Sequence, residues 1–255
     1  MKLASGIRLN CESIRVIEPV SDTVLIFLHE ALGSIPQWRS FPSELCEKLK
    51  LNGLIYERQG HGSSAPLTEP RNDHYLHEYA LNELPDLIET LFSPDQKFIL
   101  IGHSDGGTIA LLYGAQFPKR LKAAVTMAAH VINEPETIAG IQPAIDAYNT
   151  GKLKKLSLYH GDKTDDLFFA WANTWNSESF KNWNICRDIQ AFTAPLLSIQ
   201  GANDQYGTPL QLDLIKQSIQ GECETVLIPA CGHHPHLEKQ TEVIDLISEF
   251  LVAYR

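Results

Sequence analysis

No stretch of this 255-residue chain is apolar for long enough to span a bilayer. Its opening Met-Lys-Leu-Ala-Ser-Gly-Ile-Arg-Leu-Asn lacks the apolar core of a secretory signal. Positive charge is also short: 21 Lys and Arg stand against 31 Asp and Glu, for a formal charge of -10. No basic stretch with interleaved aromatics offsets that balance, which argues against nucleic acid or an anionic membrane surface as a partner. Cysteines are few and scattered (Cys11, Cys46, Cys186, Cys223, Cys231), odd in number and without CxxC spacing. They fit reduced thiols and a cytoplasmic location rather than a disulfide framework. Internal repeats and low-complexity segments are absent too. What remains is 44% hydrophobic, enough to bury a large core in a single globular unit.

Against that background, Gly102-His103-Ser104-Asp105-Gly106-Gly107 stands out. Phe98 to Ile101 ahead of it reads as a strand, and Thr108 to Tyr113 behind it as a buried helix. A strand turning straight into a helix must bend sharply at Ser104, and the small residues on either side let the backbones approach. The turn lifts the hydroxyl over the amino end of the helix, where developing negative charge is stabilised.

Strand-like and helical segments alternate elsewhere. Strands are predicted at Thr23 to Leu28, Gly53 to Tyr56, Ala123 to Ala128, Pro195 to Gln200 and Thr225 to Ile228. Helices are predicted at Phe41 to Leu51, Tyr75 to Phe92, Leu210 to Ile219 and about Glu242 to Val252. This alternation implies an α/β fold with a mostly parallel β-sheet flanked by helices. Ile7 to Ile14 alternates more and suits an antiparallel edge. From about Val131 to Phe192 no strand is evident, and the segment carries Trp171, Trp175 and Trp183 among many aromatics.

The Gly-x-Ser-x-Gly turn in its strand–helix setting resembles the nucleophile elbow of the α/β-hydrolase family. Three further stretches extend the resemblance from about Val24 to Phe250: Tyr56-Glu57-Arg58-Gln59-Gly60-His61-Gly62-Ser63-Ser64, Gln200-Gly201-Ala202-Asn203-Asp204-Gln205-Tyr206-Gly207 and Cys231-Gly232-His233-His234-Pro235-His236. The resemblance implies a hydrolase core over 1–130 and 193–255, with 131–192 inserted as a helical cap over the active site. It implies a triad of Ser104, Asp204 and His233, in the family's chain order. It places the oxyanion donors at the backbone N–H groups of Asp105 and Ala31, the latter in His29-Glu30-Ala31-Leu32-Gly33-Ser34. Most relatives have glycine where this chain has Glu30, which is read as facing solvent or bonding to the cap. His103 is expected to pack beneath the nucleophile, and Arg58 to tie loops together.

A serine hydroxyl needs an imidazole to take its proton and an acid to hold the imidazole, so this set implies a serine hydrolase with no cofactor. A carboxylic ester is the leading substrate class. Thioesters and carbon–carbon bonds of ring-cleavage products are the alternatives, and a non-catalytic ligand-binding member of the fold is the reading from another class. Trp171, Trp175 and Trp183 are candidate substrate contacts, with simple packing as the competing role for each. His233, His234 and His236 also suggest metal ligands, but no second ligand cluster at a matching spacing accompanies them, and no metal is expected. Asp105 either recognises a positively charged substrate group, as in Ser-Asp elbow hydrolases acting on amino acid esters, or turns away to bind an amide, a lysine or Arg58.

Overall fold

The computed structural model describes all residues, Met1–Arg255. Seven strands run β1 (Asn10–Ile14), β2 (Val24–Leu28), β3 (Asn52–Glu57), β4 (Phe98–His103), β5 (Leu121–Met127), β6 (Leu196–Gly201) and β7 (Cys223–Ile228). They form one sheet in the order β1-β3-β2-β4-β5-β6-β7, parallel throughout except for β1, which pairs antiparallel with β3. The central strands β2 and β4 are buried along their whole length, as expected of parallel strands covered by helices on both faces. The edge strand β1 is half exposed.

Helices fill the connections. They are α1 (Phe41–Leu49), α2 (Tyr75–Glu78), α3 (Leu84–Leu91), α4 (Asp105–Gln116), α5 (Pro135–Asn149), α6 (Ser157–His160), α7 (Thr164–Asn176), α8 (Leu210–Ser218), α9 (Pro235–Glu238) and α10 (Gln240–Leu251). The single helix expected over Tyr75 to Phe92 is instead two α segments joined by a π turn, Tyr79–Glu83. The physical reason is Pro85, which has no N–H and would clash with the carbonyl four residues back; the wider turn ahead of it absorbs both defects. None of the helices is long and apolar enough to cross a membrane.

Two apolar clusters lie on the two faces of the sheet. One gathers α1 and α10, with Phe41, Leu45 and Ile247 against Phe27 and Ile101. The other gathers α3 and α4 and extends into the segment between β5 and β6, where Phe168, Trp175, Phe180 and Phe192 join Leu100 and Ile109. That segment is helical, as its composition suggested, and it has no separate core of its own.

The turn between β4 and α4 is set by close packing. Ser104 has φ +51° and ψ −117°, a left-handed region that a serine enters only when its surroundings impose it. A Cβ at Gly106 would lie 1.9 Å from Leu28 O, and one at Gly102 would lie 2.3 Å from Gly106 O. Both positions therefore admit only glycine. Gly106→Ala is expected to lower the unfolding free energy by about 2 kcal/mol or more, the scale of a forced overpacking. Urea unfolding followed by circular dichroism measures this; a stability equal to wild type would contradict the packing argument.

Candidate active site

The elbow delivers Ser104 to the carboxyl end of the sheet, and the loops after β6 and β7 deliver Asp204 and His233 beside it. His233 Nε2 lies 3.1 Å from Ser104 Oγ, and His233 Nδ1 lies 2.9 Å from both carboxylate oxygens of Asp204. The Asp204 carboxylate is fully shielded from solvent. It also accepts the Tyr206 N–H (2.9 Å) and the Gln200 amide Nε2–H (2.5 Å). Burial works to raise its pKa, but the neighbouring His233 and the N–H donors outweigh burial and hold it below the ordinary carboxylate value. An ionised Asp204 keeps the His233 proton on Nδ1, which leaves Nε2 free to take the serine proton. His103 lies beneath, as expected, and its Nε2–H donates to His233 O (2.7 Å), fixing the base from its own backbone.

The loop after β2 is held with equal care. Arg58, fully buried, donates from Nη1 to His29 O (2.5 Å) and from Nη2 to Glu30 O (2.8 Å). His29 Nδ1–H adds a second bond to Glu30 O (2.7 Å). His61 Nε2–H donates to Ala31 O (3.0 Å), and His160 Nε2–H, from the segment between β5 and β6, donates to Leu32 O (2.9 Å). Four successive carbonyls are thus turned toward buried donors. In a trans peptide the N–H points opposite to the C=O, so pinning Glu30 O turns the Ala31 N–H away from Arg58. Neither that N–H nor the Asp105 N–H donates to another backbone group. Ala31 and Asp105 line the same cavity as Ser104 and His233, of about 200 Å³. This arrangement offers two free donors beside an activated hydroxyl.

The sequence candidates fall unevenly around this cavity. Trp171 and Trp175 line it. Trp183 does not: it stacks on Phe180 at 5.0 Å and meets Trp175 edge-on, so its ring is spent on packing behind the wall. Glu30 does not face open solvent. It forms part of the wall, its Oε1 3.9 Å from His234 Nε2. Burial tends to raise its pKa, but the hydrogen-bonding and charge of His234 outweigh that and lower it, while Glu30 in turn raises His234 against its own burial. Asp105 is buried and lines the cavity rather than turning away. Its partner is neither Arg58 nor a lysine but the Tyr75 hydroxyl, which donates to Oδ2 (2.9 Å) and accepts from Trp175 Nε1–H (2.9 Å).

Besides Tyr75, sequence reasoning overlooked three residues here. Gln200 orients the acid. His130 lines the cavity at the carboxyl end of β5, and His160 reaches the oxyanion loop from outside the core. A position just past a parallel strand marks His130 in principle; His160 sits in a segment with no comparable marker. No three His, Cys, Asp or Glu side chains, those of His233, His234 and His236 included, converge in a geometry that could hold an ion.

Six histidines are held neutral, with burial as the main cause: His29, His61 and His103 lie well below the ordinary value of 6.5, His130 and His160 lie below it, and His236 is pushed to about 3. Below pH 6.5 the unfolded chain binds more protons at these sites than the native chain does, so stability falls as pH drops, by up to about 1.4 kcal/mol per pH unit for each site. Glu83, raised by burial to about 7, and His234, raised by Glu30, work the other way by one proton each. Six against two leaves the acid side unfavourable. Urea melts are expected to show a loss of at least about 3 kcal/mol between pH 7 and pH 5.5; a flat profile would mean the histidines are protonated in the native state.

A family model described as alpha/beta hydrolase fold matches residues 23–156. A putative esterase/lipase 2 of Mycoplasma pneumoniae is 28% identical, over 89% of this chain and 88% of its own. A 2-hydroxy-6-oxo-2,4-heptadienoate hydrolase of Pseudomonas putida is 21% identical, over 99% and 96%. The solved structure of an alpha/beta hydrolase from a Medee basin deep-sea metagenome library superposes with a TM-score of 0.75 at 17% identity, covering 96% of this chain and 94% of that one.

Proposed function

The chain belongs to the α/β-hydrolase fold family, and on that footing we propose that it is a serine hydrolase cleaving a small-molecule carboxylic ester. Ser104 Oγ attacks the ester carbonyl carbon as its proton passes to His233 Nε2, and Asp204 supports the imidazolium that forms. The carbonyl oxygen takes up negative charge between the Ala31 and Asp105 N–H groups, whose loss would cost a few kcal/mol of transition-state stabilisation each. His233 then returns the proton to the departing alcohol, leaving an acyl group on Ser104. Water attacks that acyl group with His233 again as base, and the acid leaves with Ser104 restored.

The observation that carries this reading is the convergence of nucleophile, base and two free N–H donors on one cavity, with the acid bonded behind the base. The similarity to an esterase/lipase favours oxygen esters, and thioesters would meet the same groups. The cavity contains no lysine or arginine, and Asp105 stands in its wall beside the aromatic rings of Trp171 and Trp175. The end of the substrate that enters it is therefore uncharged or cationic, because a carboxylate there would lie against Asp105 without a partner. The segment 131–192 is assigned the role of a cap: it supplies both indoles, so it selects the substrate while the core performs the chemistry.

A fluorophosphonate probe is expected to label the wild-type protein and not Ser104→Ala. Ester turnover in Ser104→Ala and in His233→Ala should fall on the order of 10³-fold or more with the fold retained. Substantial activity in His233→Ala would overturn the assignment of the base. A second measurement addresses Asp105. On matched esters with and without an ammonium group, Asp105→Asn should lose rate on the ammonium ester alone; equal losses on both would remove the recognition role.

A further inference from the structure

Beyond Glu30 and His234 lies a second cavity, of about 320 Å³, which shares Glu30, Gln37 and His234 with the catalytic one. These three side chains form a common wall, so a substrate too long for the inner cavity has this outer one as its next space. The two differ in charge. The inner cavity has no lysine or arginine; the outer one has Arg39 and Lys155. The ion pairs of the molecule include neither of them, so both charges are unpaired on a protein of formal charge -10. The outer cavity's one carboxylate, Glu30, is already turned to His234.

Two further features mark the outer cavity as more than a surface groove. Trp38 and His236 line it at 2% and 3% exposure, and each has a buried ring nitrogen, Trp38 Nε1 and His236 Nδ1, with no hydrogen-bond partner. An indole N–H can only donate, and a buried donor without an acceptor costs roughly 1–3 kcal/mol. Arg39 follows at φ +54°, closing the turn Ile35–Trp38 through its N–H to Pro36 O. A left-handed arginine is held there by its surroundings, which fixes the root of its side chain at the rim.

We infer that this outer cavity is a subsite for an anionic group of the substrate, a carboxylate or a phosphate, carried on the portion that extends past Glu30 and His234. The inference rests on the ester-hydrolase reading and adds to it a polarity: uncharged or cationic inside, anionic outside. Arg39 and Lys155 draw the anion by charge. Because both are exposed, their effect is on binding rather than on the chemical step, and it weakens with salt.

The test uses the intact enzyme and matched ester pairs whose far end is neutral, carboxylate or phosphate, with the charged group placed on the acyl or on the alcohol side. One placement should lower KM by about tenfold relative to its neutral isostere, since each exposed charge contact is worth a few-fold. In the double variant Arg39→Ser, Lys155→Ser that advantage should disappear, while kcat/KM for the neutral ester stays within about twofold of wild type. The carboxylate and phosphate arms separate the two anions, and inorganic phosphate should compete with the preferred ester in wild type but not in the double variant. If no placement of the anion is favoured, or if the double variant weakens neutral and anionic esters alike, the subsite does not exist. Neutral-ester turnover and probe labelling of Ser104 report on the hydrolase reading separately, so its failure would be seen as loss of all turnover and labelling rather than of the anionic preference.

Discussion

The site depends on how the loop His29–Leu32 is held. An oxyanion hole needs N–H groups that point at empty space, which a polypeptide does not adopt by default, since a free amide soon finds a carbonyl. In the role proposed for it, the loop meets this demand from the other side of the peptide. Arg58, His29, His61 and His160 engage the carbonyls, and the N–H of Ala31 is left over as a geometric result. The arrangement asks for a buried guanidinium and several buried neutral imidazoles. That demand accounts for three of the ten histidines, His29, His61 and His160.

The elbow and the acid turn obey the same logic of over-determination. Ser104 is kept in a left-handed conformation because two glycines bring β4, α4 and the end of β2 into contact. Asp204 stays ionised under burial because Gln200, Tyr206 and His233 together satisfy it. In each case a conformation or a charge that is unfavourable alone persists because several neighbours oppose its relaxation. Little rearrangement is then left for the moment of reaction, which is how a prearranged polar site lowers a barrier.

Much of this was legible in the chain. The strands announced themselves through short, unbroken apolar runs such as Val24 to Leu28, and the turn chemistry of Gly102 to Gly107 pointed to Ser104. The residues marked by motif are those whose local turn chemistry constrains their immediate neighbours. Tyr75, His130 and His160 were not found, because each reaches the site across a long stretch of sequence: 30 residues separate Tyr75 from Asp105, and 128 separate His160 from Leu32. Trp183 shows the opposite limit. Composition marks an aromatic as apolar and large, and only packing decides whether its face meets a ligand or another ring. The π turn at Tyr79–Glu83 was foreshadowed by Pro85, but a helical apolar period passes over one extra residue without a visible break.

The absence of a separate core beneath the segment between β5 and β6 bears on how such enzymes can be remade. Phe168, Trp175, Phe180 and Phe192 are part of the same apolar body as the sheet face under α4. Exchanging the whole segment for one from a relative would therefore remove material from the centre of the molecule, not from its surface. On the role proposed for this segment, specificity is changed more readily by point substitutions on the cavity side of α7 than by wholesale grafts. In that respect the insertion behaves as a graft the host has already absorbed.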